Sequence, residues 1–399
     1  MDNKDKVVLA FSGGLDTTYC AIHLAKERNL EVLTAIVNTG GFSAKELREI
    51  GDRAIELGIK NHKTIDETNN FYWRCLRFLV YGNVLKNSTY PLSVSAERVF
   101  QAMAIVNYAK QVGAKYIAHG STGAGNDQVR FDLLFQIIAP EMEIITPIRE
   151  QRLSRQAEVE YLKANGIDMN WEKAKYSINK GLWGTSVGGE ETLTSDKHLP
   201  EEAYPSQLIK DQSKEITLHF EEGELIGLDD QELDSPVEVI QALADLSAQF
   251  AIGRDIHVGD TIIGIKGRVG FEAPAPLIII KAHHLLEKHI LTKWQLHWKE
   301  QLANWYGMLL HEGQYLDPVM RNIEVFLENT QSNVTGEVYV KLHPYRFEIL
   351  GIKSEFDLMS SEAGQYGEMN NSWSGEDVKG FTKILANQSK IFKQTNEKD

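Results

Sequence analysis

The chain lacks the features that mark secreted and membrane-spanning proteins. It has only two cysteines, Cys20 and Cys75, and neither has CxxC or metal-ligand spacing, which excludes a disulfide framework and a cysteine metal site. We expect both to be buried thiols. No apolar run approaches the about 20 residues that cross a bilayer, and the first residues hold no signal-peptide-like apolar segment. The sequence therefore predicts a cytoplasmic protein without membrane contact.

An excess of positive charge is also missing. The 399 residues include 42 Lys and Arg against 56 Asp and Glu, which gives a formal net charge of −14. Nucleic-acid phosphates are met by clustered Lys and Arg, and no basic stripe is present. The composition therefore predicts no nucleic-acid partner.

Three familiar site motifs are absent. No GxxxxGK[ST] follows a predicted strand and no GxGxxG opens a predicted helix, which argues against a P-loop kinase and a dinucleotide dehydrogenase. His283, His284 and His289 lie in HHLLEKH, which is not the HExxH arrangement of a zinc helix. We interpret these histidines as structural.

A phosphate-binding loop is what the N-terminal segment does contain. Residues 7–11 form an uninterrupted apolar run, typical of a strand buried on both faces. Ser12-Gly13-Gly14 follows and opens into a helix, whose free N–H groups and positive dipole end favour an anion. Asp16 could contact the Mg²⁺ that accompanies a nucleoside triphosphate. The alternative is an ordinary strand-to-helix turn with Asp16 as a helix N-terminal charge.

Strands and helices alternate through the first part of the chain. This order predicts a doubly wound parallel sheet, a nucleotide-binding domain over residues 1–170, with ligands outside the carboxyl ends of the strands. Further strands are predicted at 31–37, 62–65, 115–119 and 143–146. Helices are predicted at 43–58 with a capping box at Ser43 and Glu46, and at 67–84, 95–112 and 158–164.

The pattern then changes to blocks of helices and short β segments, which predicts an α+β domain over residues 171–370. Hairpins are predicted at 216–228 and 336–352, and helices from 235 onward and at 275–291, 292–313 and 317–331. An amphipathic helix at 374–392 is predicted in a tail over residues 371–399, after a polar linker at 369–373. Such a helix docks on a neighbouring subunit or on its own domain.

A second glycine-rich loop follows the strand at 115–118. In HGSTGAGNDQVRFD, residues 119–132, the strand end again delivers backbone N–H groups, now with Thr122, Asn126, Asp127 and Arg130, to the same rim of the sheet. The alternative is a flexible loop whose helix is capped by Asn126 or Asp127. Two such loops on one rim favour a binding site.

These motifs carry a family resemblance. SGGLDT resembles the phosphate loop of the N-type ATP pyrophosphatases, and the chain as a whole resembles the argininosuccinate synthase family, which joins citrulline and aspartate while ATP is cleaved to AMP and pyrophosphate. The motifs that carry the resemblance are AFSGGLDTT, HGSTGAGNDQVRF, KYSINKGLWGTS, GRD, IKGRVGFEAP, EGQYLDP and NVTGEVYVKL.

The resemblance implies a set of site residues, ATP with Mg²⁺, and a homotetramer. Asp16 and Asp127 are the implied catalytic residues, with no general base and no metal ligand firmly assigned. The implied nucleotide residues are Ala10, Phe11, Ser12, Gly13, Gly14, Leu15, Asp16, Thr17, Thr18, Val37 and Gly120. Those implied for aspartate are Thr122, Asn126 and Asp127, and those for citrulline are Tyr90, Ser95, Asn126, Arg130, Ser177 and Ser186. Arg130 can pair with a carboxylate, and hydroxyls can orient an amino acid.

Two departures from the family pattern leave alternatives open. The usual VENR segment is replaced around His257-Val258-Gly259-Asp260, which puts Gly259 where a citrulline-binding carboxylate is expected, and Phe271 replaces a tyrosine. His257 or Asp260 would have to compensate. The alternatives are the same chemistry on an N-acylated citrulline, because the change removes both charge and volume, and a nucleotide-binding regulator that has lost catalysis. Other adenylating pyrophosphatases share the first loop, but their cysteine pairs, basic surfaces or ammonia source are not visible here.

Overall fold

The N-terminal part is a parallel sheet with helices on both faces, as predicted. The computed structural model describes residues 4–123, 125–167, 175–360, 366–367 and 372–397. Five parallel strands lie in the order β3-β2-β1-β4-β5. They are β1 Lys6–Ala10, β2 Glu31–Asn38, β3 Asn61–Asp66, β4 Tyr116–Ala118 and β5 Glu143–Ile145.

Alternating side chains explain why the buried residues 7–9 of β1 are all apolar. Val7 and Leu9 pack on one face of the sheet with the helices that follow β1 and β5, whereas Val8 packs on the other face with Val99 and Phe100. A central parallel strand is covered on both sides, so both faces of its buried part are apolar.

The helices of this part begin and end near the predicted residues. The predicted capping box at Ser43 and Glu46 is present. The predicted helix at 67–84 contains a π-helical turn, Tyr72–Leu76, between two α-helical turns. The helices are α1 Leu15–Lys26, α2 Ala44–Glu56, α3 Thr68–Phe71, α4 Arg77–Tyr81, α5 Ser93–Gln111, α6 Asp127–Ile138, α7 Pro147–Gln151 and α8 Arg155–Ala164.

Two antiparallel sheets of four strands follow, in the orders β10-β11-β7-β6 and β13-β12-β8-β9. The second sheet contains both predicted hairpins. The first was not predicted from the sequence, since its strands are short and rich in glycine. The strands are β6 Ser177–Gly181, β7 Gly184–Gly188, β8 Lys214–Glu221, β9 Glu224–Leu228, β10 Arg254–Asp260, β11 Lys266–Glu272, β12 Gly336–His343 and β13 Arg346–Lys353.

The helices of this part match the predicted ones and carry clear N-terminal signals. Ser235, Thr292 and Asp317 each accept a hydrogen bond from the backbone of the helix that follows. The helices are α9 Pro236–Ala248, α10 Pro274–Ile290, α11 Lys293–His311 and α12 Pro318–Asn329.

The last residues, 355–399, form a separate compact unit from residues 1–354. The single helix predicted at 374–392 is two helices, α13 Gly375–Leu385 and α14 Asn387–Asn396, which meet at Ala386. The predicted domain boundaries at 170/171 and 370/371, and most of the linker at 369–373, lie outside the described residues.

Both cysteines are buried and unpaired, as predicted. In the described part of the chain, no helix combines the length and apolarity needed to cross a membrane. His283 is fully buried and contacts the side-chain oxygens of Asn83 and Gln331, which fits a structural role.

A buried ion pair anchors α10 to α11. Lys299 Nζ lies 2.8 Å from Glu287 Oε2, and neither side chain has any solvent exposure. Lys299 also donates to the Tyr81 carbonyl at 2.6 Å, and Gln331 donates to Glu287 at 2.9 Å. Charges this deeply buried persist only with such partners.

Replacing Lys299 should therefore destabilise the fold strongly. We expect Lys299→Met to lower the free energy of unfolding by about 3–5 kcal/mol, because Glu287 is left as an unpaired buried charge. The control is Lys341→Met, which removes an exposed Lys–Glu pair of 2.9 Å and should cost less than about 1 kcal/mol. Urea denaturation measures both, and equal losses would contradict the assignment.

Candidate functional site

The first glycine loop leaves the N-terminus of α1 open. Gly13 has φ of +74°, a left-handed conformation that suits glycine, and its carbonyl accepts from the Arg53 guanidinium. Gly14 caps α1 in an extended conformation, and no side chain caps the helix. The N–H groups of its first turn are therefore available to an anion.

The second loop packs against the start of α1. A Cβ atom at Gly120 would lie 3.3 Å from Thr17 Cγ2 and 3.4 Å from Asp16 Cβ, so only a residue without a side chain fits easily. The two loops follow β1 and β4, between which the strand order reverses. This reversal is where doubly wound sheets bind their ligands.

A cavity of about 690 Å³ opens at this point. Among the residues predicted for the nucleotide, Gly13 and Thr18 do not line it: Gly13 shapes the turn, and Thr18 is buried below it. The remaining predicted residues line the cavity: Ala10, Phe11, Ser12, Gly14, Leu15, Asp16, Thr17, Val37 and Gly120.

A buried carboxyl group beside Asp16 was not predicted from the sequence. Glu158, on α8, is 3% exposed, and burial together with the nearby Asp16 carboxylate raises the pKa of Glu158 to about 7. In the described residues no group of three or more His, Cys, Asp or Glu side chains could hold a metal ion. A cation at Asp16 would therefore need ligands from the nucleotide itself.

A second cavity of about 300 Å³ adjoins the first. The residues predicted for citrulline that line it are Tyr90, Ser95, Asn126, Arg130 and Ser186. Ser177, predicted for citrulline, and Thr122, predicted for aspartate, are both exposed. Neither lines either cavity. The structure thus brings most of the predicted amino-acid residues together and leaves these two outside.

Asp127 lies between two arginines. Its carboxylate accepts from Arg98 Nε at 3.1 Å and from Arg130 Nη1 at 2.9 Å. Burial alone would raise the pKa of Asp127, but the two guanidinium groups outweigh it and lower that pKa. Asp127 therefore stays ionised at neutral pH.

Three residues line both cavities: Arg98, Asp127 and Asn179. Arg98 Nη2 donates to Asn179 Oδ1 at 3.2 Å, which joins α5 to β6. Neither Arg98 nor Asn179 was predicted as a site residue. The shared wall makes the two cavities parts of one site.

Hydrogen bonds connect two residues that line the second cavity, Arg130 and Asn126, to the C-terminal half of the chain. Arg130 donates to the His311 carbonyl at 2.9 Å and lies 3.3 Å from His311 Nδ1. Burial, and then the Arg130 charge, lower the pKa of His311 to about 3. Asn126 Oδ1 accepts from the backbone N–H of Ile262 at 2.9 Å, which fixes the tip of the β10–β11 hairpin beside α6.

Of the two departures from the family pattern, Gly259 lines this cavity and Phe271 packs behind one of its lining residues, Tyr90. Phe271 is fully buried, with its ring centroid 5.4 Å from that of Tyr90. Gly259 lines the wall next to His257, whose ring lies over it. The space that a side chain at position 259 would occupy is therefore filled, and the steric argument for a wider pocket fails.

Sequence reasoning missed Arg98, Asn179, Glu158 and His311 as site residues. The KYSINKGLWGTS motif was the one signal for Asn179, because it contains that residue. Nothing in the sequence indicated Arg98, Glu158 or His311, since their place in the site depends on tertiary contacts.

The strand order, the two glycine loops and the cavity between them define a nucleotide-binding α/β domain, joined here to a second domain that completes the site. Residues 6–168 match the family model described as the arginosuccinate synthase N-terminal HUP domain, and residues 176–392 match that of the C-terminal domain. The chain belongs to the argininosuccinate synthase family.

Curated relatives support the same assignment over nearly the whole length. The argininosuccinate synthases of Dictyoglomus thermophilum and Methanocaldococcus jannaschii are 35% and 34% identical over 391 and 394 residues, which is 98% of each chain. That of Xanthomonas campestris pv. campestris is 35% identical over 408 residues, covering 99% of this chain and 100% of the relative.

Proposed function

We propose that this chain is an ATP-dependent ligase that joins citrulline and aspartate to form argininosuccinate, with release of AMP and pyrophosphate, in arginine biosynthesis. The observation that carries the proposal is the shared wall of Arg98, Asp127 and Asn179 between the two cavities. It lets a group activated by the nucleotide in one cavity be attacked from the other.

The chemistry explains why ATP is needed. A ureido carbonyl is a poor electrophile, and its oxygen cannot leave when an amine attacks. The ureido oxygen of citrulline therefore attacks the α-phosphorus of ATP, and pyrophosphate leaves. The aspartate amine then attacks the ureido carbon of this citrullyl-adenylate and loses a proton, and AMP departs with the former ureido oxygen.

The residues of the first cavity act by position and charge. The open N-terminus of α1 and the Ser12-Gly13-Gly14 turn would hold the phosphates. Asp16 would contact the Mg²⁺ that accompanies ATP, and that ion would supply positive charge near the pyrophosphate.

Asp127 serves better as an orienting group than as a general base. Two guanidinium groups lower its pKa, which weakens it as a proton acceptor at neutral pH. Held in place by Arg98 and Arg130, its carboxylate can direct the ammonium or amine of aspartate. Among the other predicted residues, we assign those that line the second cavity: Asn126 to aspartate, and Tyr90, Ser95, Asn126, Arg130 and Ser186 to citrulline.

Plain citrulline is the proposed substrate, ahead of an N-acylated one. The acylated alternative rests on the loss of both charge and volume at Gly259, and His257 fills that volume. A regulator without catalysis is disfavoured because Asp16, Asn126, Asp127 and Arg130 are all present at the site.

An isotope experiment tests the reaction. With ATP, aspartate and citrulline labelled with oxygen-18 in the ureido group, we expect pyrophosphate release and the label in AMP, because the C–O–P linkage breaks at carbon. Mass spectrometry of AMP and of the amino-acid product is the measurement. Label that remains in the product would exclude the adenylate, and no pyrophosphate release would exclude the function.

A substitution tests the role of Asp127. We expect Asp127→Ala to reduce kcat/KM for aspartate by roughly 10- to 150-fold, the loss of one charge-assisted hydrogen bond of about 1.5–3 kcal/mol. Asp230→Ala, at an exposed aspartate in the turn after β9, is the control. Equal losses for aspartate, citrulline and ATP would mean that Asp127 only holds Arg98 and Arg130.

We also propose a cytoplasmic homotetramer in which α13 reaches a neighbouring subunit. What supports it, besides the family, is that the apolar residues of this helix are exposed: Val378, Phe381, Ile384 and Leu385. An isolated amphipathic helix of this kind gains stability by covering its apolar face.

Truncation tests the assembly. Light scattering gives the number of subunits when the measured mass is divided by the protomer mass. We expect a chain that ends at residue 373 to form assemblies of fewer subunits than the intact chain, and a chain that ends at residue 386, which keeps α13, to keep the same number. If the chain without α13 also keeps the same number of subunits, the helix is not an assembly element.

A further inference from the structure

His257 and Gly259 form one structural unit in the wall of the second cavity. They are two apart on β10, so their side-chain positions lie on the same face of the sheet. His257 is 5% exposed, and its ring stacks on Tyr90 with the centroids 5.1 Å apart and an interplanar angle of 26°.

The imidazole occupies the space of a side chain at position 259. A Cβ atom built there would lie 2.6 Å from His257 Nε2, 3.1 Å from His257 Cε1 and 3.3 Å from Asn87 Nδ2. Real atoms do not approach so closely, so any residue other than glycine would push the ring away. Glycine at 259 and histidine at 257 therefore depend on each other.

The Nδ1 atom of His257 is fully buried and has no hydrogen-bond partner within the described residues. Buried polar atoms are nearly always satisfied, so an orphan in the wall of a binding cavity points to a ligand. The nearby Asp260 is less suitable, because its carboxylate lies 2.7 Å from Lys266 Nζ and is 66% exposed.

The charge states of the residues that line the second cavity also favour His257 as the group that hydrogen-bonds a ligand. Burial, and then the neighbouring Lys86, lower the pKa of His257, so the ring is neutral at pH 7 and offers one donor and one acceptor. Of the two carboxylates that line the cavity, Asp127 is held by two arginines and is assigned to aspartate, and Asp260 is paired with Lys266.

We propose that His257 is a specificity-determining residue of the amino-acid pocket, whose imidazole replaces the carboxylate expected at position 259 and gives the amino-acid substrate one hydrogen bond. The assignment of that substrate as citrulline rests on the proposed function.

Three single variants, one control variant and one double variant test this inference by steady-state kinetics. His257→Phe keeps an aromatic ring over Gly259 and beside Tyr90 but removes both nitrogens, so we expect the KM for citrulline to rise about 3- to 10-fold, the worth of one neutral hydrogen bond. The KM values for ATP and aspartate should stay the same. Val258→Ala, on the exposed face of the same strand, is the control and should change none of them.

The double variant tests the steric coupling. Gly259→Ala should raise the KM for citrulline because its Cβ displaces the ring. In the His257→Ala background the same change should have no further effect, since no ring is left to displace.

Clear results would overturn the inference. An unchanged citrulline KM in His257→Phe would do so, as would a rise in all three KM values together with a lower melting temperature, or equal effects of Gly259→Ala in both backgrounds. The proposed function is tested separately with the unmodified protein. If that protein releases no pyrophosphate with ATP, aspartate and citrulline, the proposed function is wrong, whatever the role of His257.

Discussion

The carboxylate of Asp127, held between Arg98 and Arg130, is the interaction on which the rest of the site depends. Three charges in a partly buried place are stable only when each has partners, and here each arginine also has a partner in the C-terminal domain. Arg98 donates to Asn179 on β6, and Arg130 donates to the His311 carbonyl at the end of α11. One carboxylate thus joins the edge of the parallel sheet to the domain that covers it.

This arrangement also explains why the site has two compartments. The glycine loops can supply backbone N–H groups for phosphates, but a backbone alone does not select between amino acids. Selection needs side chains with fixed orientation, and those come from α5, α6 and the β10–β11 hairpin. The Asn126 bond to the Ile262 N–H sets the position of that hairpin, so the second cavity exists only when both halves of the chain are folded together.

The parts that could be predicted from the sequence depend on local signals. Residues close together in the sequence determine three features that the structure confirms. They are the apolar run of β1, the Ser12-Gly13-Gly14 turn and the capping box at Ser43. The sheet that contains β6, β7, β10 and β11 was not predicted, because glycine-rich strands acquire their structure from their partners and not from their own side chains. Asn179 lies on one of these strands. Arg98 lies on a predicted helix, but its place in the site depends on contacts with Asp127 and Asn179, which are distant in the sequence.

Gly259 shows what a comparison of single positions leaves out. In the sequence it is a lost carboxylate, and loss of charge and volume together suggest a more open pocket. In the structure, the residue two positions earlier on the same strand has taken the volume, and its imidazole supplies a neutral polar group in place of the charge. A strand presents residues i and i+2 to one face, so a change at either must be interpreted as a change of the pair. The space at position 259 is filled by His257, and the polar group there is a neutral imidazole.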